Sequence, residues 1–381
     1  MGRNFLSLSM LNIRRLILRE VCLPLHRAFV TSASSMAQRR MILVELFLRD
    51  GLRAWGECVA LEAPTYTPET VDGAWQILER WIAPQVLGRD FAGPGALHDF
   101  LSTRVRGHPM ARAAVEMAAW GAAAELLERP LAALLGGRRR RVDTGVALGL
   151  QGGLDAVVER ARQAKEEGYR RLRLKIAPGQ DVGLVASVRG AVGRDLPLAV
   201  DANGAYRPED AGELAELEPY DLLMIEQPLH WDDLSEHARL QRRLDVPLCL
   251  DESVRDPRHA RLMIELEAGR ILNLKPGRVG GLTAALEIHE LCGNHGIPLF
   301  CGGMLESGIG RAYNVALASL PGFTLAGDLS PSRRYWHRDL VTPEWTMEDG
   351  RVEVPWDRPG LGVTVDEEYV ESLTVRRAVV E

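Results

Sequence analysis

The chain has 381 residues, 46% hydrophobic and 26% charged, which excludes a disordered or collagen-like class. Its 46 Lys and Arg are outweighed by 52 Asp and Glu, so there is no basic footprint for nucleic acid, and no apolar run approaches the roughly 20 residues of a membrane-spanning helix. The five cysteines (Cys22, Cys58, Cys249, Cys292, Cys301) are scattered and form no C-x-x-C pair, which argues against disulfides or structural zinc and for a reducing cytoplasm.

At the N-terminus, Phe5 to Leu11 is apolar but broken by Ser7 and Ser9 and followed by Arg14-Arg15, unlike a cleaved secretory signal. Residues 1–9 read as an upstream extension, with Met10 as a second possible start. Asn12 to Val21 and Met41 to Leu48 read as strands, Ile42, Val44, Leu46 and Leu48 sharing one face. Pro68 to Ile82 and the Ala-rich Met110 to Leu127 read as helices, Pro68 suiting a first helical turn. Together these predict an α+β domain over residues 1–135, closed by a solvated basic loop at Arg138–Arg141.

From Val142 the pattern changes to short apolar runs alternating with polar-faced helical stretches. Val142–Leu148, Arg171–Lys175, Leu198–Asp201, Leu222–Glu226, Leu248–Asp251, Ile271–Lys275 and Leu299–Cys301 read as buried strands, with Phe323–Leu325 a weak eighth. Helical patterns such as Leu154–Glu167, Asp181–Gly193, Pro208–Leu217, Asp233–Leu244 and Leu282–His295 lie between them. Repeated strand–helix units imply parallel strands with right-handed crossovers. An open doubly wound sheet lacks its Gly-rich phosphate turn here, so the expectation is a (β/α)-barrel over 136–335. The tail, 336–381, holds strand-like Val352–Val354 and Leu361–Val365 and is expected to return to the first domain.

The ends of these strands carry the chemistry. Asp201, Glu226 and Asp251 close three successive strands, 25 residues apart each time, and Lys175 and Lys275 close the strands on either side. In a parallel barrel all five side chains converge on the C-terminal mouth, where catalytic residues sit. Three carboxylates facing one point cannot all stay ionised without a cation, and three hard oxygen ligands suit Mg²⁺, with Mn²⁺ as a substitute. Lysines flanking such a charge would have lowered pKa values and could act as bases near neutrality. The implied reaction is removal of a proton α to a carboxylate, with the metal steadying the enolate. A lone Asp at a strand end usually caps the next helix, and a lone Lys is usually solvated. Five at five successive strand ends are not explained that way.

The segments Leu172-Arg173-Leu174-Lys175, Val200-Asp201-Ala202-Asn203, Ile225-Glu226-Gln227-Pro228, Leu250-Asp251-Glu252-Ser253, Lys275-Pro276-Gly277-Arg278-Val279-Gly280-Gly281 and Cys301 to Gly308, together with Trp55-Gly56-Glu57-Cys58, resemble the enolase superfamily. The nearest likeness is to its N-acylamino acid racemase / o-succinylbenzoate synthase group. The resemblance runs from about Leu11 to Val365 and implies a modified, TIM-like (β/α)-barrel under an N-terminal α+β capping domain. It implies Asp201, Glu226 and Asp251 as metal ligands and Lys175 and Lys275 as an acid/base pair on opposite faces of the substrate. It places Asn203 beside the metal, lines the pocket with Gly303, Met304 and Leu305, and brings the segments 27–35 and 58–66 over the substrate. Arg278 matches a position associated with racemase members. A small carboxylate substrate, a homo-oligomer and a cytoplasmic location belong to the same expectation.

Two departures touch the pocket. The family's usual Lys-x-Lys is here Arg173-Leu174-Lys175, and Arg keeps the positive charge but cannot be deprotonated. Ala147 stands where similar relatives carry a Ser hydroxyl. Both leave the chemistry in place and bear on substrate identity. Metalloprotease, P-loop and nucleophile-elbow motifs are absent. The sequence therefore leaves open a racemase of N-acylamino acids, a lyase forming o-succinylbenzoate for menaquinone, a dipeptide epimerase or cycloisomerase, and a catalytically silent binding protein on the same fold.

Overall fold

A computed structural model describes residues 10–30, 35–149, 152–179 and 181–381. The expected upstream extension, residues 1–9, lies outside them. The first domain is an antiparallel sheet of β1 (Leu11–Val30), β2 (Ser35–Leu48) and β3 (Arg53–Cys58), joined along the free edge of β1 by the C-terminal strand Thr374–Val380. Alternation puts Leu16, Leu18, Ile42, Val44 and Leu46 in the core, and the Ala-rich helix Pro109–Leu126 packs against them. Gly56 makes that close approach possible: a Cβ there would lie 2.0 Å from the Ala114 carbonyl oxygen. The helix expected from Pro68 begins instead at Val71, because the Thr70 side chain accepts from Gly73 N and caps it there.

The second domain is a parallel sheet which, among the described residues, has seven strands in chain order. They are β4 (Val146–Leu148), β5 (Leu172–Lys175), β6 (Leu198–Asp201), β7 (Leu222–Glu226), β8 (Leu248–Leu250), β9 (Ile271–Leu274) and β10 (Leu299–Cys301). The expected eighth strand, Phe323–Leu325, does not form. The gap is closed by the irregular stretch that follows. Leu325 N and Asp328 N donate to Leu299 O and Cys301 O on one side, at 3.2 and 2.8 Å. On the other, Gly327 N donates to Asp143 O at 3.0 Å, and Gly327 O accepts from Gly145 N at 2.7 Å. Gly327 sits so close to β10 that a Cβ would lie 2.9 Å from the Cys301 carbonyl oxygen, so an ordinary strand residue has no room there. The result is a (β/α)-barrel with eight positions around its wall, matching the expected fold class.

Inward-facing Ala199, Met224, Cys249, Ile271 and Phe300 fill the barrel. The tail returns to the first domain as a strand of its sheet through Thr374–Val380, and Gly360 bonds to Arg129 and Leu131 there. Arg351–Glu353 pairs instead with Arg141–Asp143 beneath the barrel, and Thr364–Val365 with Val341–Thr342. These pairs are two or three residues long, so their apolar pattern did not show which partner they would take.

Two buried glutamates tie the domains together. Glu57 of β3 accepts from Ser307 N and Gly310 N, both at 3.1 Å, at the start of the barrel helix Gly308–Ala318. Glu116 accepts from Leu282 N and Thr283 N, both at 2.8 Å, at the start of Leu282–Asn294. Each satisfies amide donors that a helix leaves unpaired at its first turn. Burial raises both carboxyls to about 7. Among the described residues, no helix is long and apolar enough to cross a membrane.

Candidate active site

Each barrel strand alternates between the sheet's two faces, so the residue at its C-terminal end points to the mouth of the barrel. Lys175, Asp201 and Glu226 end β5, β6 and β7, and Asp251 and Lys275 follow directly on β8 and β9. Beyond Asp201, Asn203 takes a left-handed conformation (φ 46°) that Asn tolerates, and its N–H bonds back to Asp201 Oδ1 at 3.0 Å. Arg173, Lys175, Asp201, Asn203, Asp251, Lys275, Gly303, Met304 and Leu305 all line one cavity of about 160 Å³. That volume exceeds a single water and suits a small organic ligand. Two expected residues lie elsewhere: Glu226 is fully buried beneath the cavity, and Arg278 is fully buried behind Asp251.

The charges interlock. Lys175 Nζ donates to Asp201 Oδ2 at 2.7 Å and Asn203 Oδ1 at 2.5 Å. Lys275 Nζ donates to Asp251 Oδ2 at 2.8 Å, and Arg278 bridges the other oxygen of Asp251 to the Asn273 carbonyl. Arg173 lies 3.2 Å from Asp201 and also pairs with Glu226 and Asp328, while Asn273 Nδ2 holds the second Glu226 oxygen at 2.8 Å. Burial alone would raise Asp201, but Lys175 and Arg173 outweigh it and hold the carboxyl below its ordinary range. Lys275 sits above the usual ammonium range: burial would lower it, yet Tyr66, Glu252 and Glu226 prevail. For Lys275, the lowering expected from the sequence is therefore not a property of the protein's own side chains, since Tyr66 and the neighbouring carboxylates pull the other way.

These pairings separate the carboxylates. Among the described residues, no three His, Cys, Asp or Glu side chains are gathered closely enough to hold a metal ion. The donor set itself fits a hard divalent cation. Asp201, Glu226 and Asp251 are all nearly inaccessible, and the adjacent Glu252 Oε2 is buried with no hydrogen-bond partner. Burial, and then the Asp201 charge, push Glu252 up to about 6.

Several contributors were not singled out from the sequence. Tyr66, from the capping domain, places its hydroxyl 2.9 Å from both Lys275 Nζ and Asp251 Oδ1. The segment leading to it is pinned by buried Arg39, which donates to Val59 O and Ala60 O at 2.7 and 2.8 Å. Val59 in turn packs on Gly277, where a Cβ would lie 2.5 Å from its methyl. Leu61 and Thr65 join Tyr66 at the cavity, as expected for segment 58–66. Of segment 27–35, residues 31–34 lie outside the described ones; Met36, just beyond, lines the cavity. Asn273 shares an inward face with Lys275, two residues on, and that period was its only sequence signal. Gly302 leaves room for the lysine stem, since a Cβ there would lie 2.6 Å from Lys275 Cε.

A barrel whose strand ends present two lysines and three acids, under a separate capping domain, defines a protein of the enolase superfamily, and the chain belongs to that family. Residues 13–136 match the N-terminal domain of the mandelate racemase / muconate lactonizing enzyme family and residues 156–369 the enolase C-terminal domain-like family. The chain is 45% identical to the N-succinylamino acid racemase of Thermus thermophilus, covering 94% of this chain and 96% of that one. It is 44% identical to the o-succinylbenzoate synthase of Geobacillus stearothermophilus, covering 96% of each. An enolase-superfamily structure from Listeria innocua superposes with a TM-score of 0.94 at 37% identity, over 97% of this chain and 99% of that one.

Proposed function

We propose that the protein removes and returns a proton α to a carboxylate, racemising N-acylamino acids of the N-succinyl type. The observation that carries this reading is the placement of Lys175 and Lys275. They stand at the second and sixth of eight wall positions, hence on opposite sides of one cavity, with buried carboxylates between them. One lysine, unprotonated, takes the α-proton from one face of the substrate, and the other, as an ammonium, delivers a proton to the opposite face. Return from that side inverts the carbon. Asp201, Glu226 and Asp251 would hold a divalent cation, Mg²⁺ or Mn²⁺, which when bound supplies positive charge to the substrate carboxylate. Arg173, Asn203, Gly303, Met304 and Leu305 shape the space around the substrate. Arg278 acts from behind, holding Asp251.

The relatives named o-succinylbenzoate synthase favour a second activity in the same site. There Lys175 would take the α-proton and pass it to the departing hydroxyl, so that water leaves, while Lys275 remains an ammonium. The free state of all five cysteines agrees with a cytoplasmic location.

The test is α-deuterium exchange of N-succinyl and N-acetyl amino acids in D₂O with Mg²⁺, alongside dehydration of the cyclohexadiene carboxylate precursor of o-succinylbenzoate. Exchange that EDTA abolishes and Mg²⁺ restores is expected. Full activity in a chelated sample would overturn the metal assignment, and no exchange on any substrate would overturn the α-proton reading.

A further inference from the structure

Arg173 divides its guanidinium between two groups of carboxylates. Nη1 donates to Glu226 and lies 3.2 Å from Asp201, while Nη2 donates to Asp328. The other oxygen of Asp328 takes Arg171 Nη2 at 2.6 Å. Arg171 lies inside the barrel, 4.3 Å over the Phe300 ring, and its Nε and Nη1 have no partner. Among the described residues, Asp328 is the only carboxylate within ion-pair distance of Arg171. Every one of these charged groups is 8% exposed or less.

Taking such charges out of water is costly unless each is paired, so neither arginine can move away from carboxylate altogether. A cation approaching Glu226 and Asp201 meets the positive charge of Arg173 on the same oxygens. Asp328 offers that charge a second place to rest. The planar fork of an arginine can keep one arm on Asp328 while the other lets go, its two amino groups reaching acceptors farther apart than one ammonium nitrogen spans.

We propose that Asp328 is a positioning residue that sets the divalent-cation affinity of Asp201, Glu226 and Asp251 by competing with them for Arg173. This rests on the metal reading above. It assigns the Arg-for-Lys departure a consequence: the cation site contains a built-in competitor, and Asp328 restrains it.

The test is titration of the metal-stripped full chain with Mn²⁺ alone, free Mn²⁺ being followed by electron paramagnetic resonance. Asp328→Asn should weaken binding roughly tenfold or more, the scale on which outer partners of a metal site act. Arg173→Gln should tighten it, and Asp328→Asn added to Arg173→Gln should have little further effect. Weakening by Asp328→Asn that persists undiminished without Arg173, or affinities unchanged in both single variants, would overturn the proposal. Thermal unfolding without metal checks that each variant folds. If Asp328→Asn does not fold, Arg173→Gln decides alone: tighter binding sustains the proposal, and equal or weaker binding overturns it. Absence of saturable Mn²⁺ binding by the unaltered chain would overturn the metal reading itself, and this inference with it.

Discussion

The Tyr66 hydroxyl, carried on the capping domain, lies 2.9 Å from the Lys275 ammonium at the barrel mouth. The reactive end of the cavity is thus assembled from both domains, and the same hydroxyl also reaches Asp251. Tyr66→Phe keeps the ring and removes the polar contacts. It is expected to lower kcat/KM by roughly tenfold or more, the worth of a hydrogen bond to a charged group, with little change in stability. Steady-state kinetics beside a thermal melt separates the two effects, and an unaltered kcat/KM would show that Tyr66 only packs.

Opposed lysines make an isotopic prediction. Lys175→Ala should stop α-proton exchange of one enantiomer of an N-succinyl amino acid while Lys275 still exchanges the other. Lys275→Ala should show the reverse preference, and either change should block net racemisation. Proton NMR in D₂O on each pure enantiomer provides the measurement. Exchange of both enantiomers by a single-lysine variant would mean that one base reaches both faces.

The buried interdomain glutamates predict how stability responds to pH. Glu116 rises from an ordinary value of 4.5 to about 7 on folding, so the native state holds its proton more tightly than the unfolded chain does. That contribution is complete below about pH 4.5 and is lost as pH rises to about 7, on the order of 3 kcal/mol at most. Glu116→Gln removes a titrating group while keeping an acceptor oxygen for Leu282 N and Thr283 N. Urea unfolding between pH 5 and 8 should therefore fall less steeply for the variant; parallel curves would contradict the assignment.

Gly56→Ala tests the packing of β3 on the helix. The added carbon meets main chain, which cannot swing aside, so destabilisation of roughly 1–3 kcal/mol or more is expected in the denaturation midpoint. A neutral result would mean that strand and helix can separate cheaply.

Asp201, Glu226, Asp251, Lys175 and Lys275 were legible in the sequence because a short buried parallel strand is an apolar run, and the first charged residue after the run marks the mouth. Asp328 comes after Phe323–Leu325, a run too short to mark a strand end. Its stretch is held by single backbone bonds around Gly327, so its grip on Arg171 and Arg173 had no periodic signature. The place of Arg278 was not legible for another reason. It is only three residues past Lys275, but the helical turn Pro276–Val279 swings its side chain behind Asp251 instead of into the cavity. The helix Gly308–Ala318 was not singled out because it is buried on all sides, which erases the polar face that a 3.6-residue period needs.

The two acids that bridge the domains also turn particular main-chain protons into reporters. The amides of Leu282, Thr283, Ser307 and Gly310 are covered only while the capping domain is seated, because their acceptors, Glu116 and Glu57, arrive from it. Their deuterium uptake, compared with amides deeper in the same helices, would time the lifting of one domain from the other without any label being added to the protein.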